Sequence, residues 1–386
     1  MHPEMKAFNC SIVRGGTSKG IFFKENDLPA DADLRDKVIL AAFGSPDVRQ
    51  IDGLGGADVL TSKLAIVGPS ASPDADVDYT FGQVSFEQPF IDYKGNCGNI
   101  SAGVGPFAID AGMIAAQEPI TKVRIRLTNT NRILTADVPV KDGRAQVDGD
   151  FHIDGVPGTG AKITLDWSGT VGAQTGKLLP TGNAKDIIKV DGKEYTVSLV
   201  DAGNPLVFIK AEDLGMKGTE TAAEIEANTE TWEIIMKIRD EAAVIFGLTD
   251  SVEKARKESP YNPFFAIVSP PQDYEALNGL HVKAEEIDMV SRLSFMLKMH
   301  KTYPITGTVC TGAASRIPGT VVWDVTRETA KQDGTLRIGH PGGVIPVETE
   351  AVTVEGETQI RRIGVYRTAR KIMDGQVYIK ESVLKK

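Results

Sequence analysis

Residues Asn96–Asp110 read NCGNISAGVGPFAID. A cysteine set among asparagines and glycines stands directly ahead of a run that is apolar nearly all round. Turn formers followed by such a run predict a helix that starts near Gly98 and stays buried over about Ile100 to Ala115. In that arrangement Cys97 faces the unpaired amides and the positive dipole end of the helix. Both favour a thiolate. Asn96 and Asn99 add donors, and Gly98 leaves room for a ligand. A buried structural cysteine is the commoner fate of this residue type. Neighbours that form turns are poor core residues, however, so the segment reads as functional.

Working outward, the first half of the chain is mostly strands. KAFNCSIVRGG and GIFFKEN flank a Gly-rich turn, and KLAIVGPS and DVDYTFGQVSFE follow. TKVRIRLTNT, RILTADVPV and GRAQVDG read as a meander, with Asp142–Gly143 as a hairpin signal. A further helix is predicted over Leu34–Phe43. The second half follows a similar order. EYTVSLVDAG, LVFIKAED, FFAIVSP, TVVWDVT, LRIGH, VIPVET and RRIGVYRTARKI read as strands. Thr219–Phe246 is the longest amphipathic stretch, with Ile225, Trp232, Ile235, Ile238, Ala242 and Ile245 at helical spacing. In TVCTGAASRIPGT, Cys310 reads as a strand end followed by small residues that open a second buried helix. Two similar domains are expected, residues 1–184 (with the tail 372–386) and 185–371.

The 386 residues carry a net charge of −9 and only three cysteines. The acidic balance and the lack of a Lys/Arg stripe argue against a nucleic-acid partner. Any anionic ligand must be held by local donors. No apolar run reaches the roughly 20 residues that a membrane helix needs, and the N-terminal residues lack the apolar core of a signal peptide. Cys10, Cys97 and Cys310 form no disulfide framework, which fits a reducing cytoplasm. With five histidines and no CxxC pair, a structural zinc site is not expected.

Several segments suit a small anion. In VRGGTSKG (Val13–Gly20), glycines bracket Thr17, Ser18 and Lys19, and the backbone can turn its amides on a carboxylate. A tight hairpin explains the same residues, and a nucleotide P-loop does not. In DGLGGADVLTSKLAIVG (Asp52–Gly68), Lys63 stands at the mouth of a buried strand. Desolvation there disfavours the ammonium form and makes Lys63 a candidate general base, although most strand-edge lysines are simply solvated. DAGNPLVF (Asp201–Phe208) offers a Gly203–Asn204 turn, and His300 lies just ahead of Cys310. GHPGG (Gly339–Gly343) is the weakest such loop.

Taken together, RGGTSKG, LTSKLAIVG, DVDYTFGQV, GNCGN and HKTYPITGTVC…IPGT resemble the isomerases of 2-methylaconitate, 3-methylitaconate and 4-oxalomesaconate. The likeness spans Arg14 to about Gly343. It implies an α+β chain with two domains of the diaminopimelate epimerase-like fold. Each would be a curved, mostly antiparallel sheet or partial barrel around a central helix, with the active site between them. It also implies no metal, pyridoxal phosphate or nucleotide. Lys63 and Cys97 would transfer protons, with His300 as a further active-site residue. Arg14, Thr17, Ser18, Ser62, Asn96, Gly98, Asn99, Gly203, Asn204, Cys310 and Thr311 would line the substrate. That substrate would be an unsaturated di- or tricarboxylate. DGLGGADVLTSK and DVDYTFGQV look most like the branch acting on 2-methylene-3-methylsuccinate. The related epimerases use two cysteines, which leaves Cys97 with Cys310 as an alternative pair. Strands near the chain ends point to a homo-oligomer, a dimer or tetramer.

Overall fold

A computed structural model describes residues 3–93 and 95–385. The chain divides into two compact units, Met1–Leu165 with Tyr366–Lys386, and Asp166–Val365.

In the first unit, seven strands lie side by side in the order Ala369–Lys380, Met5–Gly15, Ser18–Lys24, Lys63–Pro69, Val77–Val84, Ile120–Leu127 and Arg132–Lys141. Two neighbouring pairs are parallel, with Gly20 opposite Lys63 and Val77 opposite Ile125; the others are antiparallel. A parallel pair needs a crossover. The helix Ala32–Phe43 supplies the first and the helix Gly98–Asp110 the second. The second helix packs against strands from both ends and the middle of this row, so the sheet curves around it. Small residues allow that approach. A Cβ on Gly105 would come within 2.7 Å of Val138 Cγ2, and one on Gly103 within 3.0 Å of Phe22 and Val13. A second core lies under the other helix, with Phe23, Ile39, Phe43, Leu64 and Ile66 fully or almost fully buried.

The second unit repeats this plan. Its strands run Asp186–Val190, Lys193–Ala202, Asn204–Lys210, Phe264–Ser269, Met289–Phe295, Thr335–His340 and Gly343–Val354. The succession of antiparallel and parallel pairs is the same as in the first unit. The helix Ile305–Ala314 occupies the place of Gly98–Asp110 and packs on Lys193–Ala202, Asn204–Lys210 and Gly343–Val354. Each unit is thus a curved, mostly antiparallel sheet around one buried helix.

Several elements differ from the sequence reading. TVVWDVT, expected as a strand, holds the short helix Val321–Val325, because the Thr320 side chain accepts from Trp323 N and caps it. The stretch 219–246 is two helices, Ala222–Ala227 and Thr229–Ile245. Asn228 ends the first and caps the second by accepting from Thr231 N. Ile245 is exposed rather than on the buried stripe. RRIGVYRTARKI spans parts of two strands, Glu357–Arg367 and Ala369–Lys380.

The units change at residues 165/166 and 365/366, where the sequence reading set 184/185 and 371/372. The reason is local. Gly172 N bonds Asp201 O, Gln174 N and Thr175 N bond the Asp201 carboxylate, and Asp201 N bonds Leu178 O. The 172–178 loop is thereby tied to the second unit. At the other crossing, Ala369 and Arg370 pair with Gly15 and Arg14 of the first unit. Among the described residues no helix is long and apolar enough to cross a membrane.

Candidate active site

The helix Gly98–Asp110 begins with Cys97 as its N-cap, in extended conformation and without a side-chain capping bond. Ser101 N and Ser101 Oγ both bond Cys97 O, at 2.9 and 2.8 Å, which fixes the first turn and leaves the thiol in a partly exposed position. The neighbouring Tyr79 is fully buried, and burial, then the proximity of Cys97, pushes its phenol well up.

The hairpin turn after Met5–Gly15 lies directly over this helix end. A Cβ on Gly15 would sit 2.3 Å from Asn99 O, and one on Gly16, whose φ is +50°, 2.2 Å from Asn99 Oδ1. Only glycine tolerates both the conformation and the approach. Asn99 Nδ2 donates to Thr17 Oγ1 at 3.0 Å and reaches Ser18 Oγ at 3.5 Å. Thr17, Ser18, Asn99 and the helix amides form one polar cluster beside Cys97.

Lys63 opens its strand opposite Gly20 and is only 8% exposed. Its Nζ donates to Gln83 Oε1 at 2.8 Å and lies 5.3 Å from the centre of the Phe81 ring. Gln83 Nε2 is anchored in turn on Ser62 O at 2.9 Å. Among the described residues no carboxylate pairs with Lys63, so a proton taken or given there breaks no ion pair. Gly20 connects the two catalytic candidates through the packing: a Cβ on it would meet both Lys63 O, at 2.9 Å, and Ile100 Cδ1, at 3.0 Å.

Four residues expected at the site have other employment. Ser62 is fully buried, donates to Val84 O and accepts from Gln50 Nε2, so it braces the approach to Lys63. Arg14 Nη1 donates to Gly16 O and Thr368 O, and so ties the hairpin turn to the C-terminal segment. Cys310 lies in the middle of Ile305–Ala314, fully buried, with Sγ 3.4 Å from Val200 O; burial pushes its thiol far up. Thr311 is also fully buried, donating to Gly307 O and bonded to the Tyr303 hydroxyl. The residue that occupies the Cys97 position of the second unit is Pro304, the N-cap of that helix. The two-cysteine alternative fails on this geometry.

The remaining expected residues divide between the units. Gly98 is buried as the first helical residue, and Asn96 Nδ2 donates to Thr130 Oγ1 at 3.1 Å. In the second unit, Gly203 (φ +75°) and Asn204 make the equivalent hairpin turn over the helix start, with Asn204 Nδ2 donating to Thr306 Oγ1 at 2.8 Å. His300 Nδ1 accepts from Thr302 N at 3.0 Å, so its ring proton sits on Nε2. Burial holds its pKa below the usual histidine range, against a smaller opposing contribution from Thr302.

One residue at the site was missed. Arg367 ends the strand Glu357–Arg367, with Nε bonded to Asn99 Oδ1 at 3.1 Å and Nη1 to Tyr366 O at 2.7 Å. Burial lowers its pKa to about 10, a shift that nearby Cys97 partly offsets, so it stays charged at neutral pH. The run RRIGVYRTARKI holds five cations. Nothing in its spacing marks one of them as facing a helix start 268 residues away. Among the described residues no cluster of His, Cys, Asp and Glu is arranged to hold a metal ion.

The model of the PrpF protein family matches residues 5–380. The chain belongs to the PrpF family. It is 53% identical to the 3-methylitaconate isomerase of Eubacterium barkeri over 97% of this chain and 98% of that one. It is 38% identical to a 2-methyl-aconitate isomerase of Shewanella oneidensis, covering 98% of each. A crystal structure of methylitaconate-delta-isomerase superposes with a TM-score of 0.93 at 52% identity, covering 99% of this chain and 98% of that one. The family expected from the motifs is therefore the correct one. A hydroxyproline epimerase from Agrobacterium vitis, 13% identical, has a TM-score of 0.51 over 98% of this chain and 93% of its own, which bears on the fold alone.

Proposed function

We propose that this PrpF-family chain is an isomerase that moves a C=C bond within a small unsaturated dicarboxylate, converting 2-methylene-3-methylsuccinate to dimethylmaleate. The observation that carries the reading is Cys97 at the uncapped start of a buried helix, with Thr17, Ser18 and Asn99 gathered beside it. The 53% identity to a 3-methylitaconate isomerase along almost the whole chain supports the choice of substrate.

In this reading the helix amides, Asn99, Thr17 and Ser18 hold a carboxylate. Lys63, in its neutral form, takes the allylic proton: a C–H bond breaks and an N–H bond forms. The electron pair spreads through the allyl unit into the carboxylate, where the amide donors stabilise the charge. Cys97 returns a proton to the far carbon, so that an S–H bond breaks and a C–H bond forms. The double bond has then shifted by one position. Proton exchange restores neutral Lys63 and protonated Cys97. The exposed Ile372 and Tyr378, on the strand that pairs with Met5–Gly15, support a homo-oligomer joined through that strand.

The test is turnover of 2-methylene-3-methylsuccinate, 2-methylaconitate and 4-oxalomesaconate, followed separately by proton NMR. Conversion of the first acid well above the others supports the proposal. Preference for 2-methylaconitate favours the second reading, which rests on the 38% identical relative. No conversion of any acid refutes both.

A further inference from the structure

We infer that Arg367 is a substrate-binding residue, whose guanidinium clamps a carboxylate at the Cys97 end of the Gly98–Asp110 helix. The inference rests on the proposed isomerase reading and adds a residue that the motifs do not contain.

The backbone around Arg367 is fixed. The next residue, Thr368, accepts from Gly16 N at 2.9 Å and from Arg14 Nη1 at 3.0 Å. The aliphatic stem lies along the hairpin turn, since a Cβ on Gly16 would come within 3.0 Å of Arg367 Cδ. These contacts aim the head group at the helix start. Its Nε holds Asn99 Oδ1, which turns the Asn99 amide so that Nδ2 faces Thr17 and Ser18. Arg367 therefore orients the polar cluster as well as charging it.

The donor count points to a ligand. A guanidinium has five N–H groups. Arg367 spends one on Asn99 and one on the Tyr366 carbonyl. Among the described residues the other three, including both on Nη2, meet no acceptor, and no carboxylate pairs with the side chain. The fully buried Arg292 is spent differently. Arg292 gives Nε, Nη1 and Nη2 to the carbonyls of Glu220, Ser291 and Thr219. Arg367 itself is half-buried, which leaves its spare donors open to an incoming ligand. The spare edge of Arg367 matches the two oxygens of a carboxylate. It is also the nearby charge that the acidic chain needs to attract a dianion.

The experiment compares the wild type with Arg367→Lys, Arg367→Met and Arg367→Ala, each checked for an unchanged far-UV spectrum and melting temperature. Loss of a charge-assisted pair should raise KM for 2-methylene-3-methylsuccinate by about tenfold to a hundredfold. Arg367→Lys should fall between the wild type and Arg367→Met. Millimolar guanidinium chloride should partly restore Arg367→Ala, while equal sodium chloride should not. A KM within twofold of wild type in Arg367→Met overturns the inference. So does a loss confined to kcat with a displaced pH profile, which would assign Arg367 to the Cys97 thiolate instead. If the wild type turns over no acid, the isomerase reading has failed. The clamp is then read by binding alone: dimethylmaleate should raise the melting temperature of the wild type and leave that of Arg367→Met unchanged, and an equal rise in both overturns it.

Discussion

Replacing Cys310 by alanine separates two chemistries that share this fold. The thiol is fully buried in the middle of Ile305–Ala314, and its Sγ lies 3.4 Å from Val200 O. Alanine removes one heavy atom, comparable to a buried methylene, at a cost of about 1 kcal/mol. For a unit of this size 1 kcal/mol lowers Tm by ~2–4 °C. Activity should stay within about twofold of wild type, because Pro304 and not Cys310 holds the position equivalent to Cys97. A catalytic thiol would behave otherwise. Loss of a general acid or base costs roughly 10²–10⁴ in rate, or about 3–5 kcal/mol of barrier. Steady-state kinetics of Cys310→Ala beside its thermal melt reads both quantities. A hundredfold fall in kcat with Tm nearly unchanged would refute the assignment and restore the two-cysteine alternative.

Lys63→Ala should keep the fold and lose about 10²–10⁴ in kcat; near-normal kcat removes Lys63 as the base. Iodoacetamide should label Cys97 first and abolish turnover, since Cys97 is partly exposed. Cys10 and Cys310 are buried, with the Cys10 thiol pushed up to about 11 and that of Cys310 well above its usual value, so peptide mapping should find them unmodified. Gly105→Ala should gain about 1 kcal/mol of helix propensity and lose about 1–3 to crowding against Val138; a Tm above wild type contradicts the packing. His300 titrates lower folded than unfolded, so the unfolded chain binds more protons as pH falls through 6.5 and stability drops with it. Melts between pH 8 and 5 should show a shallower fall for His300→Gln, and identical slopes would contradict the burial argument.

The helix after Cys97 and its burial were legible because the signal is local: turn formers, then a run apolar on every face. The hairpin carrying Thr17 and Ser18, and Lys63 at a strand mouth, were legible for the same reason. Cys310 was misplaced because TVC reads as β-branched strand. The helix begins five residues earlier, at Ile305, behind a proline that gives no capping signal. The unit boundaries were hidden in bonds between distant segments, such as the Asp201 carboxylate gripping Gln174 and Thr175. Arg367 was invisible for the most general reason. Its meaning comes from Asn99, and only the folded pairing of Ala369–Lys380 with Met5–Gly15 brings the two together.

The central claim is that Lys63 takes a proton from carbon and Cys97 returns one. Proton NMR of 2-methylene-3-methylsuccinate with enzyme in D2O tests it directly. The account predicts double-bond migration with one solvent deuteron in the new methyl group, in step with turnover. It also predicts that Cys97→Ser still washes the allylic proton out into solvent while forming little product. Migration that carries the original proton along, with no deuterium entering at any stage, would contradict it.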